Sequence, residues 1–244
     1  MSKTLILCPV FNEHDTLEIF IRRLATNTGS DILFVDDGST DDSGNIIRDS
    51  LTQIGERMYL LCHHKREGYG AALISGFQIA LRRGYENVIT IDTDLQHMPE
   101  DIVRFETALA HNDVVLGTRY HDSFNLSCVP RSRFLINRYI SALFKKEFSF
   151  CFSDPFCGFR GYSHSFLEQI HLSERSYGIC LEMLLEVIRT GATYFELPVD
   201  MIYRDSRRQF MDGLENPLLR LEYYKGVINS RRPVHNEQRI AVNQ

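Results

Sequence analysis

An α/β fold, with a mostly parallel sheet and helices on both faces, is what this sequence predicts. Two observations carry the prediction. Strand-like apolar runs alternate with helix-period segments through the first half, and no repeat or low-complexity stretch interrupts them. The length of 244 residues suits one large unit with an appendage.

The strand runs are Thr4–Cys8, Asp31–Val35, Met58–Cys62, Asn87–Ile91 and Asp113–Leu116. Between them lie helical segments at Thr16–Thr26, Asp41–Ile54, Tyr69–Arg83 and Pro99–Ala110. In the last of these, Ile102, Phe105, Ala108 and Leu109 share one face. After Tyr120 the pattern changes to a basic, aromatic-rich helix over 125–150 and a loop entering a strand over 153–163. A helix at Tyr177–Arg189, a strand at Thr193–Tyr203 interrupted by Pro198, and a helix at Glu215–Ile228 follow.

In parallel sheets of this kind, ligands bind beyond the carboxyl ends of the strands. The segments there are PVFNE (9–13), DDGSTDDS (36–43), HHKREGYG (63–70), DTDLQH (92–97) and GTRY (117–120). Four of them carry acids, bases or glycines beyond what turns require, so the site is expected on that edge.

Asp92, Asp94 and Gln96 form an oxygen-donor set suited to Mg²⁺ or Mn²⁺, which bridge one or two carboxylates to substrate phosphates. An extended stretch would turn Asp92 and Asp94 to the same side. The competing reading is capping of the helix near Pro99 by Asp94 or Gln96, which accounts for one polar residue and not three. Asp36 and Asp37 are acceptors for a base N–H or ribose hydroxyls, while Ser39, Thr40 or Asp41 suit a cap on the next helix. The glycines of REGYGAALISG stand too far behind their strand for a dinucleotide turn. Arg119, Arg131, Arg133, Arg160 and Arg204 recur beside loops of the second half, where planar guanidinium forks suit phosphate oxygens.

The net charge of −5 argues against bulk binding of nucleic acid. Six cysteines (8, 62, 128, 151, 157 and 180) show no metal spacing, and Cys8 and Cys180 are expected as buried thiols. No secretory core and no stretch near ~18 apolar residues occurs, so a cytoplasmic location is expected.

The segments PVFNE, FVDDGSTDDS, REGYGAAL, DTDLQHMPEDI, GTRY, SDPFCGFRGY and ELPVDMIYR, in this order from residue 3 to about 204, resemble family 2 glycosyltransferases. The subgroup most similar is that of dolichol-phosphate (polyprenyl-phosphate) mannosyltransferase-like synthases. The resemblance implies a GT-A nucleotide-sugar-binding fold over 1–210, with a nucleotide-binding half 1–120 and an acceptor-side half 121–210. A C-terminal helix over 211–230 and a flexible tail over 231–244 would follow. It also implies inverting transfer of one sugar from GDP-mannose or a UDP-hexose. Pro9, Phe11, Glu13, Asp36, Asp37 and Asp92 would bind the nucleotide, and Asp92, Asp94 and Gln96 would hold the metal. Asp94, Arg119, Arg160 and Arg204 would be catalytic, with Arg119, Arg133, Asn137, Arg160 and Arg204 on the acceptor.

Two departures stand out. Arg133, Asn137 and Ser141 keep the family's four-residue steps with the two polar residues exchanged. RDSRRQF replaces a Gly-x-Ser-Lys element, so Arg207 or Arg208 would stand for its lysine. The absence of Trp removes the Gln-x-x-Arg-Trp motif of processive relatives and favours single-sugar transfer.

An acceptor hydroxyl needs a general base, whereas a phosphate monoester is already anionic and needs cations. The arginines favour a phosphate acceptor, which the resemblance implies is a polyprenyl phosphate; Asp154 and Glu182, as candidate bases, keep a hydroxyl acceptor open. A non-catalytic nucleotide binder is the third reading. Residues 131–150 set Phe134, Leu135, Tyr139, Leu143 and Phe144 beside Arg131, Arg133, Arg138, Lys145 and Lys146. Such a helix suits peripheral contact with the cytoplasmic face of a membrane, or ordinary core packing with a solvated basic face.

Overall fold

In the first strand, β1 (Thr4–Val10), side chains alternate between two cores. Leu5 and Leu7 join one apolar cluster and Ile6 and Cys8 the other. Strands buried on both faces explain why the runs are continuously apolar. The computed structural model describes residues 3–121, 129–202 and 213–231.

The chain continues through α1 (His14–Asn27), β2 (Asp31–Asp36), α2 (Ser43–Ile54), β3 (Met58–Cys62), α3 (Tyr69–Arg82) and β4 (Asn87–Thr90). A single 3-10 turn at Pro99–Asp101 leads into α4 (Ile102–Leu109), and β5 (Val114–Thr118) and α5 (Arg131–Phe148) follow. Then come β6 (Arg160–Ser163), α6 (His164–Gln169), α7 (Ile179–Thr190), β7 (Tyr194–Pro198) and α8 (Pro217–Ser230). The seven strands form one sheet in the order β3-β2-β1-β4-β6-β5-β7. Its pairings are parallel except those of β6, which runs antiparallel to both β4 and β5.

One face is covered by α3, α5, α7 and α8 through Phe77, Ile140, Phe144, Leu184 and Val227. The other is covered by α1, α2 and α4 through Leu17, Phe20, Ile47 and Phe105. Helix α3 approaches β1 so closely that a Cβ on Gly76 would lie 2.2 Å from a Leu7 methyl.

The expected strands and helices are present. The sequence did not announce α6, nor the insertion of β6 between β4 and β5. Because β1 to β5 run the same way, their carboxyl ends at Val10, Asp36, Cys62, Thr90 and Thr118 share one edge. Among the described residues no helix is long and apolar enough to cross a membrane. Cys8 and Cys157 are buried, Cys180 is half-buried against expectation, and Cys62 and Cys151 are exposed.

Candidate active site

The loops beyond that edge are stitched together by side chains. Asn12, in the left-handed region at φ 55°, donates its N–H to Ser39 Oγ and accepts Thr40 N–H at 2.8 Å. Ser43 Oγ accepts Glu13 N–H at 2.8 Å. Ser39 and Thr40 therefore join the first loop to the second rather than capping α2, although Asp41 Oδ1 does accept Ser43 N–H.

Adjacent acids at the end of β2 face opposite ways. Asp36 closes its own turn, accepting Ser39 N–H at 2.9 Å, and does not line the cleft. The expectation of a nucleoside contact from Asp36 is thereby corrected. Asp37 does line the cleft, and its carboxylate accepts Glu67 N–H, Gly68 N–H and the His63 Nδ1 side, at 2.9, 2.8 and 2.7 Å. It clamps the loop that carries Arg66 and Tyr69 into the same cleft.

Asp92, Asp94 and Gln96 line the cleft together. They do so through a bend and not an extended stretch: buried Leu95 has φ 58°, and Asp94 Oδ1 accepts Gln96 N–H at 3.0 Å. The turn at Pro99 has no side-chain cap, which removes the capping alternative. Tyr69 Oη donates to Asp92 Oδ1 at 3.0 Å, and a Cβ on Gly158 would lie 2.7 Å from Asp92 Oδ2. The carboxylate is thus held between a tyrosine and a glycine. Among the described residues no group of three His, Cys, Asp or Glu could hold a metal alone. Two carboxylates and an amide opening into a cleft fit a hard cation that takes its remaining oxygens from phosphate and water.

The opposite wall is organised by Asp154, whose side chain is fully enclosed. Arg119 donates to it from Nε, Nη2 and its backbone N–H at 2.6, 2.7 and 3.0 Å. Asn137 Nδ2 adds a fourth bond at 2.8 Å. Burial pushes the Asp154 carboxyl up, but the Arg119 charge, its side-chain and backbone hydrogen bonds and the Arg160 charge together more than reverse this and hold it below its ordinary value. A carboxylate so enclosed cannot serve as the expected candidate base. Glu182 cannot either, because it is buried, accepts Ser173 N–H, Glu174 N–H and the Arg231 guanidinium, and does not line the cleft.

Two further assignments change. Arg160 is 2 % exposed and donates to the carbonyls of Cys157, Cys180 and Pro155 at 2.7, 2.9 and 2.6 Å. It ties the segment before β6 to the start of α7 and does not reach the cleft, so it is a structural arginine. Asn137 presents its donor to Asp154, which leaves the buried Oδ1 as an acceptor without a protein partner. An acceptor oxygen suits a hydroxyl and not a phosphate oxygen. Arg204, with Arg207 and Arg208, lies outside the described residues.

Pro9, Phe11, Glu13, Arg119 and Arg133 line the cleft as expected, in a volume of about 640 Å³. Sequence reasoning missed Arg66, whose guanidinium sits over the Phe11 ring at 5.0 Å, and the stacked pair Tyr69–Tyr177 at 5.9 Å. It also missed Arg220 and Tyr224 of α8, which line the cleft beyond Arg133. Arg66 and Tyr69 stood within REGYGAAL, whose glycines drew the attention; nothing local marks the α8 pair.

Acids therefore gather beyond β1–β4, with Arg66 among them, while the wall from Arg119 onward carries cations and no acid among the described residues. Residues 5–170 match the family described as glycosyl transferase family 2. The chain is a family 2 glycosyltransferase. This glycosyltransferase is 27% identical over 217 residues to polyprenol monophosphomannose synthase of Mycolicibacterium smegmatis, covering 87% of this chain and 82% of that protein. It is 28% identical over 215 residues to undecaprenyl-phosphate mannosyltransferase of Micrococcus luteus, covering 86% and 88%. Its fold is that of the GT-A enzymes. Glucosyl-3-phosphoglycerate synthase of Mycobacterium tuberculosis, solved with Mn²⁺, UDP and phosphoglyceric acid, superposes with TM-score 0.72 at 18% identity, covering 94% of this chain and 78% of that one.

Proposed function

We propose that this glycosyltransferase moves one hexose, with inversion, from GDP-mannose or a UDP-hexose to the phosphate of a polyprenyl lipid, using Mg²⁺ or Mn²⁺. One observation carries the reading. From Arg119 onward the cleft wall presents Arg119, Arg133 and Arg220 and no carboxylate or histidine among the described residues. Such a wall can hold an anionic nucleophile and cannot deprotonate a hydroxyl. The names of the two relatives point to the same acceptor class.

Asp92, Asp94 and Gln96 would hold the cation against the donor diphosphate, where it neutralises charge on the leaving group. Pro9, Phe11, Glu13 and Asp37 form the nucleoside side of the cleft. A phosphate oxygen of the acceptor attacks the anomeric carbon as its bond to the diphosphate breaks, through an oxocarbenium-like state. Arg119, fixed by Asp154, and Arg133 orient that phosphate, and Asn137 Oδ1 accepts a hydroxyl of the sugar.

The exposed face of α5 supports docking on a membrane surface. Leu135 and Tyr139, 54% and 43% exposed, stand among exposed Arg131, Arg138, Lys145 and Lys146. This face is narrower than the sequence suggested, because Phe144 and half-buried Leu143 pack in the core and Phe134 lies against Tyr120.

Calorimetric titration of GDP and UDP, with Mn²⁺ and then with EDTA, tests the donor side. Metal-dependent binding of one nucleotide, abolished by Asp94→Ala, is expected. Binding indifferent to EDTA and to Asp94→Ala would remove the metal from the reading.

A further inference from the structure

We infer that residues 173–178 form a strap that positions the metal site: they hold Tyr69 so that its hydroxyl fixes the Asp92 carboxylate for the cation. The inference rests on the metal reading of Asp92, Asp94 and Gln96, and adds Tyr69 to it as a positioning residue rather than a ligand. The strap lies beyond the family match, which ends at residue 170.

The glycines of REGYG, unsuited to a dinucleotide turn, have a use here. A Cβ on Gly68 would run into Arg175 O, and one on Gly70 into Glu174 O. Both glycines therefore let the backbone of the strap press against the start of α3. Gly68 also sits at φ 111°, where L side chains rarely go. The strap supplies the cap that α3 lacks. Gly68 offers no side chain, and Arg175 O accepts the first-turn N–H of Ala71 at 3.1 Å. Tyr69, the first residue of α3, stands between the two glycines.

The strap is itself anchored from behind. Glu182, 1% exposed near the start of α7, accepts the N–H groups of Ser173 and Glu174 at 3.0 and 2.8 Å and the Arg231 guanidinium. Tyr223 Oη of α8 accepts Gly178 N–H at 3.0 Å and donates to Glu174 Oε1 at 2.5 Å. An ion pair of Arg175 with Glu67 joins the strap to the loop before Tyr69.

From this frame the contact passes inward to the acids. Tyr177, on the strap, stacks on the Tyr69 ring at 5.9 Å with 17° between the planes. Tyr69 Oη donates to Asp92 Oδ1 at 3.0 Å. Burial foremost, and then the Asp92 charge, push the phenol well above its ordinary value, so it remains a donor at neutral pH. Phenylalanine would make the same stack without enclosing a hydroxyl, so the hydroxyl serves Asp92. Carboxylates that hold a metal are commonly oriented by such a bond from a second group.

The test compares metal-dependent with metal-free binding. GDP and UDP are titrated calorimetrically into the full chain, into Tyr69→Phe and into Tyr223→Phe, each with Mn²⁺ and with EDTA. Tyr69→Phe keeps the ring and removes only the hydroxyl. It should weaken Mn²⁺-dependent nucleotide binding roughly 10- to 100-fold and leave the weaker binding in EDTA unchanged. Tyr223→Phe, outside the cleft lining, should lose Mn²⁺-dependent affinity by a smaller factor, with faster amide exchange over 173–178. Should Tyr223→Phe fail to fold, Glu174→Ala, which removes the other end of that bond, replaces it. Wild-type Mn²⁺-dependent affinity in Tyr69→Phe overturns the inference and leaves the metal reading standing. An equal loss with Mn²⁺ and with EDTA also overturns it, because Tyr69 would then shape the cleft and not the metal site. Unchanged affinity in the Tyr223 or Glu174 variant overturns the role of the strap. If the wild-type chain shows no Mn²⁺-dependent binding of either nucleotide, the metal reading itself fails and takes the inference with it.

Discussion

Replacing Asp154 by Asn removes a charge from a place that water does not reach. The carboxylate faces the Arg119 guanidinium in a two-bond fork at 2.6 and 2.7 Å and also receives Asn137 Nδ2. Two unit charges about 4 Å apart attract by about 4 kcal/mol at an effective dielectric of about 20. Breaking one side of a buried pair typically costs about 3–5 kcal/mol. At pH 7 the urea midpoint should therefore fall by roughly 1.5–2.5 M for a slope of about 2 kcal/mol per M. The pH dependence gives a second reading. Arg119 lowers the folded-state pKa of Asp154 below the unfolded value of about 3.9, so its contribution is full above that pH. It is lost as pH falls through the lowered value, and the two unfolding curves should converge there. A midpoint shift under about 0.3 M at pH 7, or a gap that persists undiminished below pH 3, would refute the account of Asp154 as a desolvated partner of Arg119.

Three shorter predictions follow. Arg160→Met should destabilise the fold by more than about 3 kcal/mol, because it strands three buried carbonyls; an unchanged melting temperature with lost transfer would restore its catalytic assignment. Gly158→Ala places a methyl 2.7 Å from Asp92 Oδ2 and 2.9 Å from Tyr69 Oη. It should weaken Mn²⁺-dependent nucleotide binding at least about tenfold with the fold intact, and unaltered affinity would show that Asp92 is not held there. Glu at both Leu135 and Tyr139 should abolish cosedimentation with anionic vesicles while leaving transfer to a short soluble prenyl phosphate unchanged; retained cosedimentation would place the membrane contact elsewhere.

The first half of the fold was legible because parallel strands buried on two faces write themselves as apolar runs, each ended by a functional loop. Asp92, Asp94 and Gln96 could be grouped by chemistry alone. Side-chain direction could not be read. Asp36 and Asp37 are neighbours in sequence, yet one closes a turn and the other clamps Glu67 and Gly68. Arg119 and Arg160 both follow aromatic or glycine-rich segments, and only their partners distinguish a cleft arginine from an enclosed one. Arg220 lies on a helix whose faces show no apolar periodicity, so its inward direction is set by packing on α5 and α7.

The reversed strand β6 is also a seam. Among the described residues β5 pairs only with β6 and β7, so the backbone ladder joining β1–β4 to the rest of the sheet runs through Arg160–Ser163. The metal-ligand candidates lie on one side of that seam and Arg119 on the other. Four residues of antiparallel pairing thus set the placement of the acidic loops relative to Arg119. Amide exchange should reveal β5 and β7 opening together, as one cooperative unit, before β1 and β4 lose protection.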